Sequence, residues 1–200
     1  VDDILAHKAG QKMLPQKAVL VTFDDGYRSA YDHALPFLKM LGIPSVVAVV
    51  GAWEEESGTV NFDGRMIPRN KLMTWDQLRE ISKDGLVEIG SNTYDLHHGL
   101  PGNPQGNLEP AATTRRYLPD TKTYESETVY QARIAADLKR SRDIIKDRVG
   151  KAPRVIAWPY GRYSYKLRDA AAKLGMTIGL TLDDGGNMDD TPLWSMRRVL

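Results

Sequence analysis

The feature that most constrains this sequence is a repeated switch of hydrophobic period, from short unbroken apolar runs to stretches with helical spacing. Ala18–Phe23 reads AVLVTF, a near-continuous apolar run rich in β-branched residues. Such a strand is covered on both faces, as in a parallel sheet. From Tyr27 to Leu41 apolar residues recur at helical spacing, and Gly42 with Pro44 beyond it marks a stop. Further apolar runs follow at Ser45–Val50, Leu86–Ser91, Val155–Trp158 and Met176–Leu182. Between them, Thr74-Trp75-Asp76-Gln77 is a capping-box start for a helix ending at Gly85. A long helix covers Glu127–Val149, closed by Gly150 and Pro153, and Ser164–Leu174 gives another. At least five strands alternating with helices predict an α/β barrel or open sheet of mainly parallel strands. Val1–His7 reads like the middle of a helix, so the natural chain is expected to begin upstream.

Two segments break the alternation. Gly51 to Lys71 mixes glycine, proline and both polarities, which reads as a loop with a short hairpin. Asn92 to Ser126, containing PGNPQGN, is longer than loops in compact domains usually are, and such loops are often binding elements. The 200 residues suit one domain, and 42% hydrophobic against 26% charged residues allow a real core. A net charge of +1 argues against nucleic acid as the main partner, since its binders carry a strong basic excess. The absence of cysteine excludes disulfides, Cys-ligated zinc and thiol catalysis. No apolar run approaches the roughly 18–20 residues of a membrane span.

Three places carry candidate chemistry. Thr22-Phe23-Asp24-Asp25-Gly26 closes the first strand, at the end where parallel α/β folds bind ligands. Two adjacent acids there repel unless a positive group, such as a metal ion, sits beside them. The plainer alternative is that one of them caps the following helix while Gly26 makes the turn. Ser91-Asn92-Thr93-Tyr94-Asp95-Leu96-His97-His98 follows another strand. At roughly 100° per residue, Asn92 and His97 would stand about 140° apart on a helix, so they converge only on a turn. A loop of this kind suits a metal, yet His97, taken alone, and still more His98 read as ordinary loop residues. Ala157-Trp158-Pro159-Tyr160-Gly161 makes a stiff turn able to aim a backbone N–H at a developing oxyanion, or merely an ordinary strand-to-helix turn.

Taken together and in this order, these motifs resemble the NodB-homology polysaccharide deacetylases, carbohydrate esterase family 4. Within it the likeness is closest to the poly-β-1,6-N-acetyl-D-glucosamine deacetylases of biofilm systems, the PgaB-like group. It runs from KAVLVTFDDGY through LVEIGSNTYDLHHG to AWPYG and the strand beginning at Met176. The resemblance implies a distorted (β/α) barrel with fewer than eight repeats, over residues 1–200 as part of a longer protein. It implies Asp24 as catalytic base, with Asp25 and His97 as ligands of a divalent metal ion (zinc, nickel or cobalt). Tyr160 matches the residue whose N–H helps form the oxyanion hole.

Three departures from the family pattern stand out. Asn92 occupies the place of the first histidine ligand, and an amide oxygen binds zinc more weakly than imidazole does. It is kept as a ligand, with an altered, inactive site as the alternative. Ala157 stands where many members have an arginine that orients the base, so that support must come from elsewhere. The general-acid histidine matches no position here, and neither His7 nor His33 lies in a fitting motif. PgaB-like members carry it upstream of TFDDG.

The expected activity is therefore metal-assisted removal of acetyl groups from an N-acetylated polysaccharide, in the bacterial periplasm or cell envelope. Other exopolysaccharide export proteins are possible partners. Trp53, Trp75, Trp158, Tyr160 and Tyr163 are candidate sugar platforms or, equally, core residues, with core favoured for Trp75. Two rivals stand beside this reading. One is a non-catalytic glycan-binding module of the same fold; the other is a Mg²⁺-dependent phosphoryl-transfer domain, for which no phosphate-cradling loop is present.

Overall fold

The computed structural model describes residues 1–199. Its centre is a six-stranded sheet. The strands are β1 (Val21–Phe23), β2 (Ser45–Val49), β3 (Val87–Ser91), β4 (Val155–Ala157), β5 (Ile178–Asp184) and β6 (Met196–Arg198). They lie side by side in chain order, and every neighbouring pair is parallel. Each crossover therefore adds its strand to the same growing edge. Right-handed crossovers repeated in one direction wind a twisted sheet toward a barrel. The result is a curled half-barrel, in which Arg198 of β6 reaches back to Asp24 at the end of β1. The expected α/β barrel of fewer than eight repeats is what forms.

Alternation along the strands sorts side chains between the two faces. On β2, Val47 and Val49 face an outer cluster with Leu35, Leu78, Ile81 and Ile145, under α2 (Leu35–Met40), α4 (Trp75–Ile81) and α5 (Glu127–Val149). Val46 and Ala48 face the inside of the curl with Val155, Ala157, Ile178 and Leu180. Ile4 and Leu5 of α1 (Asp2–Lys8) pack against that inner cluster. A third cluster joins α5 to α6 (Tyr165–Lys173) through Ile134, Leu138, Leu167 and Trp158. At Gly179 a Cβ would stand 2.3 Å from the Trp158 indole nitrogen, so only glycine lets that ring cross β5 and donate to Trp194 O at 2.8 Å.

The structure adds elements that periodicity did not reveal. β6 is a sixth strand, and α3 (Gly51–Glu55) is a short helix at the start of the first irregular segment. The hairpin expected in that segment is there, Thr59–Phe62 against Arg65–Pro68. The stretch from Asn92 to Ser126 is not structureless: it folds two small hairpins, Gly99–Pro101 with Leu108–Pro110 and Tyr117–Leu118 with Thr123–Tyr124. The helix expected from Tyr27 starts late, as one π-helical stretch at Ala30–Ala34 leading into α2.

The 23-residue α5 is the main strut against the sheet. Ser126 caps its first turn by accepting from the Val129 N–H, and Gly150 ends it in the left-handed conformation. Leu138, in its middle, is fully buried. Leu138→Ala should therefore cost about 2–5 kcal/mol of stability, read as a lower urea midpoint at unchanged slope. A loss under about 1 kcal/mol would mean the α5–α6 contact collapses around the gap.

Candidate active site

Three loops leave the C-terminal ends of β1, β3 and β4 and meet above the sheet. The first is the Asp24-Asp25-Gly26 turn. Neither carboxylate caps the helix that follows, whose first residue has no side-chain cap, so the plainer capping reading fails. Asp24 instead takes a forked pair of hydrogen bonds from Arg198, Nη1 to Oδ1 at 2.8 Å and Nη2 to Oδ2 at 2.9 Å. The same guanidinium donates from Nε to Thr181 O at 2.8 Å. A planar fork fits a carboxylate and fixes its orientation. An arginine from β6 thus holds Asp24, where Ala157 offers no such group.

Asp25 has a φ of 67° and its carboxylate turns away from Arg198 toward the second loop. Asn92 Nδ2 donates to Asp25 Oδ1 at 2.9 Å. His97 Nδ1 lies 3.3 Å from the same oxygen, yet off the alignment of a hydrogen bond, and it is without a partner. Asn92 Oδ1 is likewise buried and unpartnered. The three candidate ligands Asp25, Asn92 and His97 therefore converge, as the turn geometry required. Among the described residues no group of three His, Cys, Asp or Glu forms a cluster, because the third member here is an amide. A carboxylate, an imidazole and an amide oxygen form a donor set that suits a divalent cation. Two orphaned buried acceptors beside a carboxylate are polar atoms in want of one, so the residues fit the group.

The third loop brings Tyr160, whose backbone is left-handed at φ 56° and ψ 21°. Its N–H has no hydrogen-bond acceptor among the described residues. Its phenol donates to Asp63 Oδ2, and burial, then that carboxylate, push the phenol above its ordinary range. Asp63 sits at the tip of the Thr59–Pro68 hairpin and also accepts from the Gly99 N–H at 2.9 Å. This pins the hairpin across the site. Next to it, Phe62 meets the His97 ring edge-on at 4.9 Å, Tyr160 does so at 5.0 Å, and Trp53 stacks on it at 5.6 Å. Three rings thus hold one imidazole in place.

Below the Asp-Asp turn, Glu54 of α3 is buried, and Gly26 leaves room for it: a Cβ there would stand 2.6 Å from Glu54 Oε1. Arg69 donates to Glu54 Oε2 at 2.9 Å. Burial still pushes the Glu54 carboxyl up to about 8 against the pull of that arginine.

The sequence reading missed Arg198, Asp63 and Glu54. None lies in a motif, and each acts across a large separation in the chain. Burial decides between the two roles open to the aromatic residues. Trp53 and Trp158 are 6% and 3% exposed, so both are core rather than open sugar platforms. Tyr163 stacks on Trp158 at 5.4 Å, and Trp75 packs against the outer core as favoured. His7 bonds Asp189 and the Lys12 carbonyl, while His33 lines a surface groove with Arg28 and Lys71.

The profile of the polysaccharide deacetylase family matches residues 11–179. A poly-β-1,6-N-acetyl-D-glucosamine N-deacetylase of Escherichia coli strain K12 is 36% identical over 182 residues, covering 90% of this chain but 27% of that protein. The chain thus spans about a quarter of the length of that curated relative. Among solved structures, the deacetylase domain of BpsB from Bordetella bronchiseptica superposes with a TM-score of 0.92 at 41% identity, covering 98% of this chain and 75% of that one. A de-N-acetylase from Aggregatibacter actinomycetemcomitans gives 0.90 at 37%, covering 100% and 76%.

Because imidazole binds zinc more strongly than an amide does, Asn92→His should tighten zinc binding at least tenfold, a gain of about 1.4 kcal/mol. Chelator competition measures it. An unchanged dissociation constant would place Asn92 outside the ion's reach.

Proposed function

The chain belongs to the polysaccharide deacetylase family, and from that premise we propose that it removes acetyl groups from poly-β-1,6-N-acetyl-D-glucosamine, releasing acetate. The observation that carries this reading is the convergence of Asp25, Asn92 and His97 with the Arg198-held Asp24 beside them. Family membership implies a divalent cation, and zinc, nickel or cobalt would be held by Asp25, Asn92 and His97. When bound, it supplies Lewis acidity toward oxygen.

The remaining chemistry is the work of the chain's own groups. Asp24 accepts the proton of the attacking water, and the Arg198 fork keeps its carboxylate facing that water. The free Tyr160 N–H donates to the oxyanion that develops as the acetamide carbon becomes tetrahedral. The hairpin holds the Tyr160 loop through Asp63 and packs Phe62 against the His97 ring. Departure of the sugar amine requires a proton, since an amine anion is a prohibitive leaving group. His7 is engaged with Asp189 and His33 lines a surface groove with Arg28 and Lys71; neither lies in a fitting motif, so that acid is assigned to no residue of this chain. Likeness to the relatives supports a place in the bacterial periplasm or cell envelope, with exopolysaccharide export proteins as partners.

The amide at Asn92 favours one second reading, a module that binds the glycan without cleaving it. Asp24→Asn in the full-length protein separates the two. Acetate release from N-acetylglucosamine oligomers should fall roughly 10²–10⁴-fold while metal content by elemental analysis is unchanged. Arg198→Ala should lower release less, also with metal retained. Oligomer binding with no metal-dependent acetate release from the parent would favour the binding module, and full activity in Asp24→Asn would remove Asp24 as the base.

A further inference from the structure

The loop that carries Asn92 and His97 is gripped from behind by α5. Asp137 and Ser141 lie one helical turn apart, so they share one face of that helix. Asp137 Oδ1 accepts the Tyr94 N–H at 2.9 Å and Oδ2 accepts the Asp95 N–H at 2.8 Å. The fully buried Ser141 hydroxyl bonds Ser91 Oγ at 2.7 Å. Ser91 Oγ in turn accepts the Thr93 N–H at 2.9 Å. The Asn92 N–H goes to Val49 O at 2.8 Å, and the Leu96 N–H to Thr93 Oγ1 at 3.1 Å. Every N–H from Asn92 to Leu96 is thus bonded, and those of Thr93, Tyr94 and Asp95 are held through α5.

Such a grip has a local cause. Thr93 has a φ of 66°, left-handed backbone that a β-branched residue avoids. Holding it there costs on the order of 1–3 kcal/mol and persists only when surrounding bonds over-determine the conformation. If Thr93 relaxed to an extended conformation, Asn92 before it and His97 after it would no longer face one carboxylate.

We propose that Asp137 and Ser141 are positioning residues: a brace on α5 that keeps Thr93 left-handed and so aims Asn92 and His97 at Asp25, setting the cation affinity of the site. This rests on the cation reading given under the proposed function. Outer groups that orient ligands typically contribute 10–100-fold to metal affinity.

The test uses Co²⁺ alone as probe, with affinity from chelator competition and ligand geometry from the visible absorption band. Asp137→Ala should weaken Co²⁺ binding about 10–100-fold and alter the band. Asp137→Asn, which keeps one acceptor oxygen, should fall between it and the parent, and Ser141→Ala should weaken binding less. Hydrogen exchange on the metal-free chain should show faster exchange at the Tyr94 and Asp95 amides in Asp137→Ala. If Asp137→Ala does not fold, Ser141→Ala and Asp137→Asn decide the outcome by the same readouts. Folded variants that bind Co²⁺ with the parent's affinity and spectrum overturn the brace. A parent chain that takes up no Co²⁺ sinks the cation reading instead. Exchange at those two amides then judges the brace by itself, and unchanged exchange rejects it.

Discussion

The guanidinium of Arg198 joins the two edges of the sheet, and the arrangement of the site follows from that bond. β1 and β6 are the first and last strands of a sheet that grows in one direction, so its curl leaves two edges facing each other. Arg198 anchors its Nε on Thr181 O in β5 and sends its fork to Asp24. The guanidinium is largely buried, with 9% of its side chain exposed, whereas Asp24 keeps 31%. A buried charge of this kind is costly without its partner, so closure of the sheet and orientation of the Asp24 carboxylate are one interaction. Lysine would not replace it, because a point charge has no fork.

That closure also explains how two adjacent acids coexist. Asp24 is matched by Arg198, and the left-handed backbone of Asp25 throws the next carboxylate toward Asn92 and His97. Neighbours in sequence therefore have separate electrostatic partners. The hairpin completes the division from above, because Asp63 ties Tyr160 and Gly99 together while Phe62 and Trp53 fix the His97 ring. Each of the three loops is thereby clamped by an element distant in the chain.

What the sequence made legible has a local signature. The buried parallel strands showed as β-branched apolar runs, and helix α4 showed through a capping box that the structure forms at Thr74 and Gln77. The convergence of Asn92 and His97 was legible through the family resemblance; their spacing excluded a shared helical face and allowed a turn without requiring it. The rest depended on contacts without local periodicity. Arg198 and Asp24 are separated by 174 positions, and β6 is three residues long, too short for any pattern to announce it. The same applies to Asp63, whose partners lie on two other loops. Trp53 and Trp158 could be read as sugar platforms or as core, because aromatic residues near a site serve either purpose, and only burial separates the two.

Backbone strain ties these observations together. Among the described residues six non-glycine positions have positive φ: Lys17, Asp25, Asp63, Thr93, Lys122 and Tyr160. Four of them belong to the site, which scattered turns would not produce. Aspartate tolerates this region through its short polar side chain, so Asp25 and Asp63 are the cheaper pair. Thr93 and Tyr160 are the costly ones, at roughly 1–3 kcal/mol each. Together that is a sizeable part of the roughly 5–15 kcal/mol by which a domain is stable. A chain under no constraint at these loops would relax them. They persist because Tyr160 is tied through its phenol to Asp63, and because Gly161 beside it approaches Leu182 so closely that a Cβ would stand 2.6 Å from that backbone nitrogen. The strained positions are the ones that present an unpaired N–H at Tyr160 and two unpaired acceptors at Asn92 and His97. The site thus presents polar groups without partners among the described residues, as a site made for a ligand must.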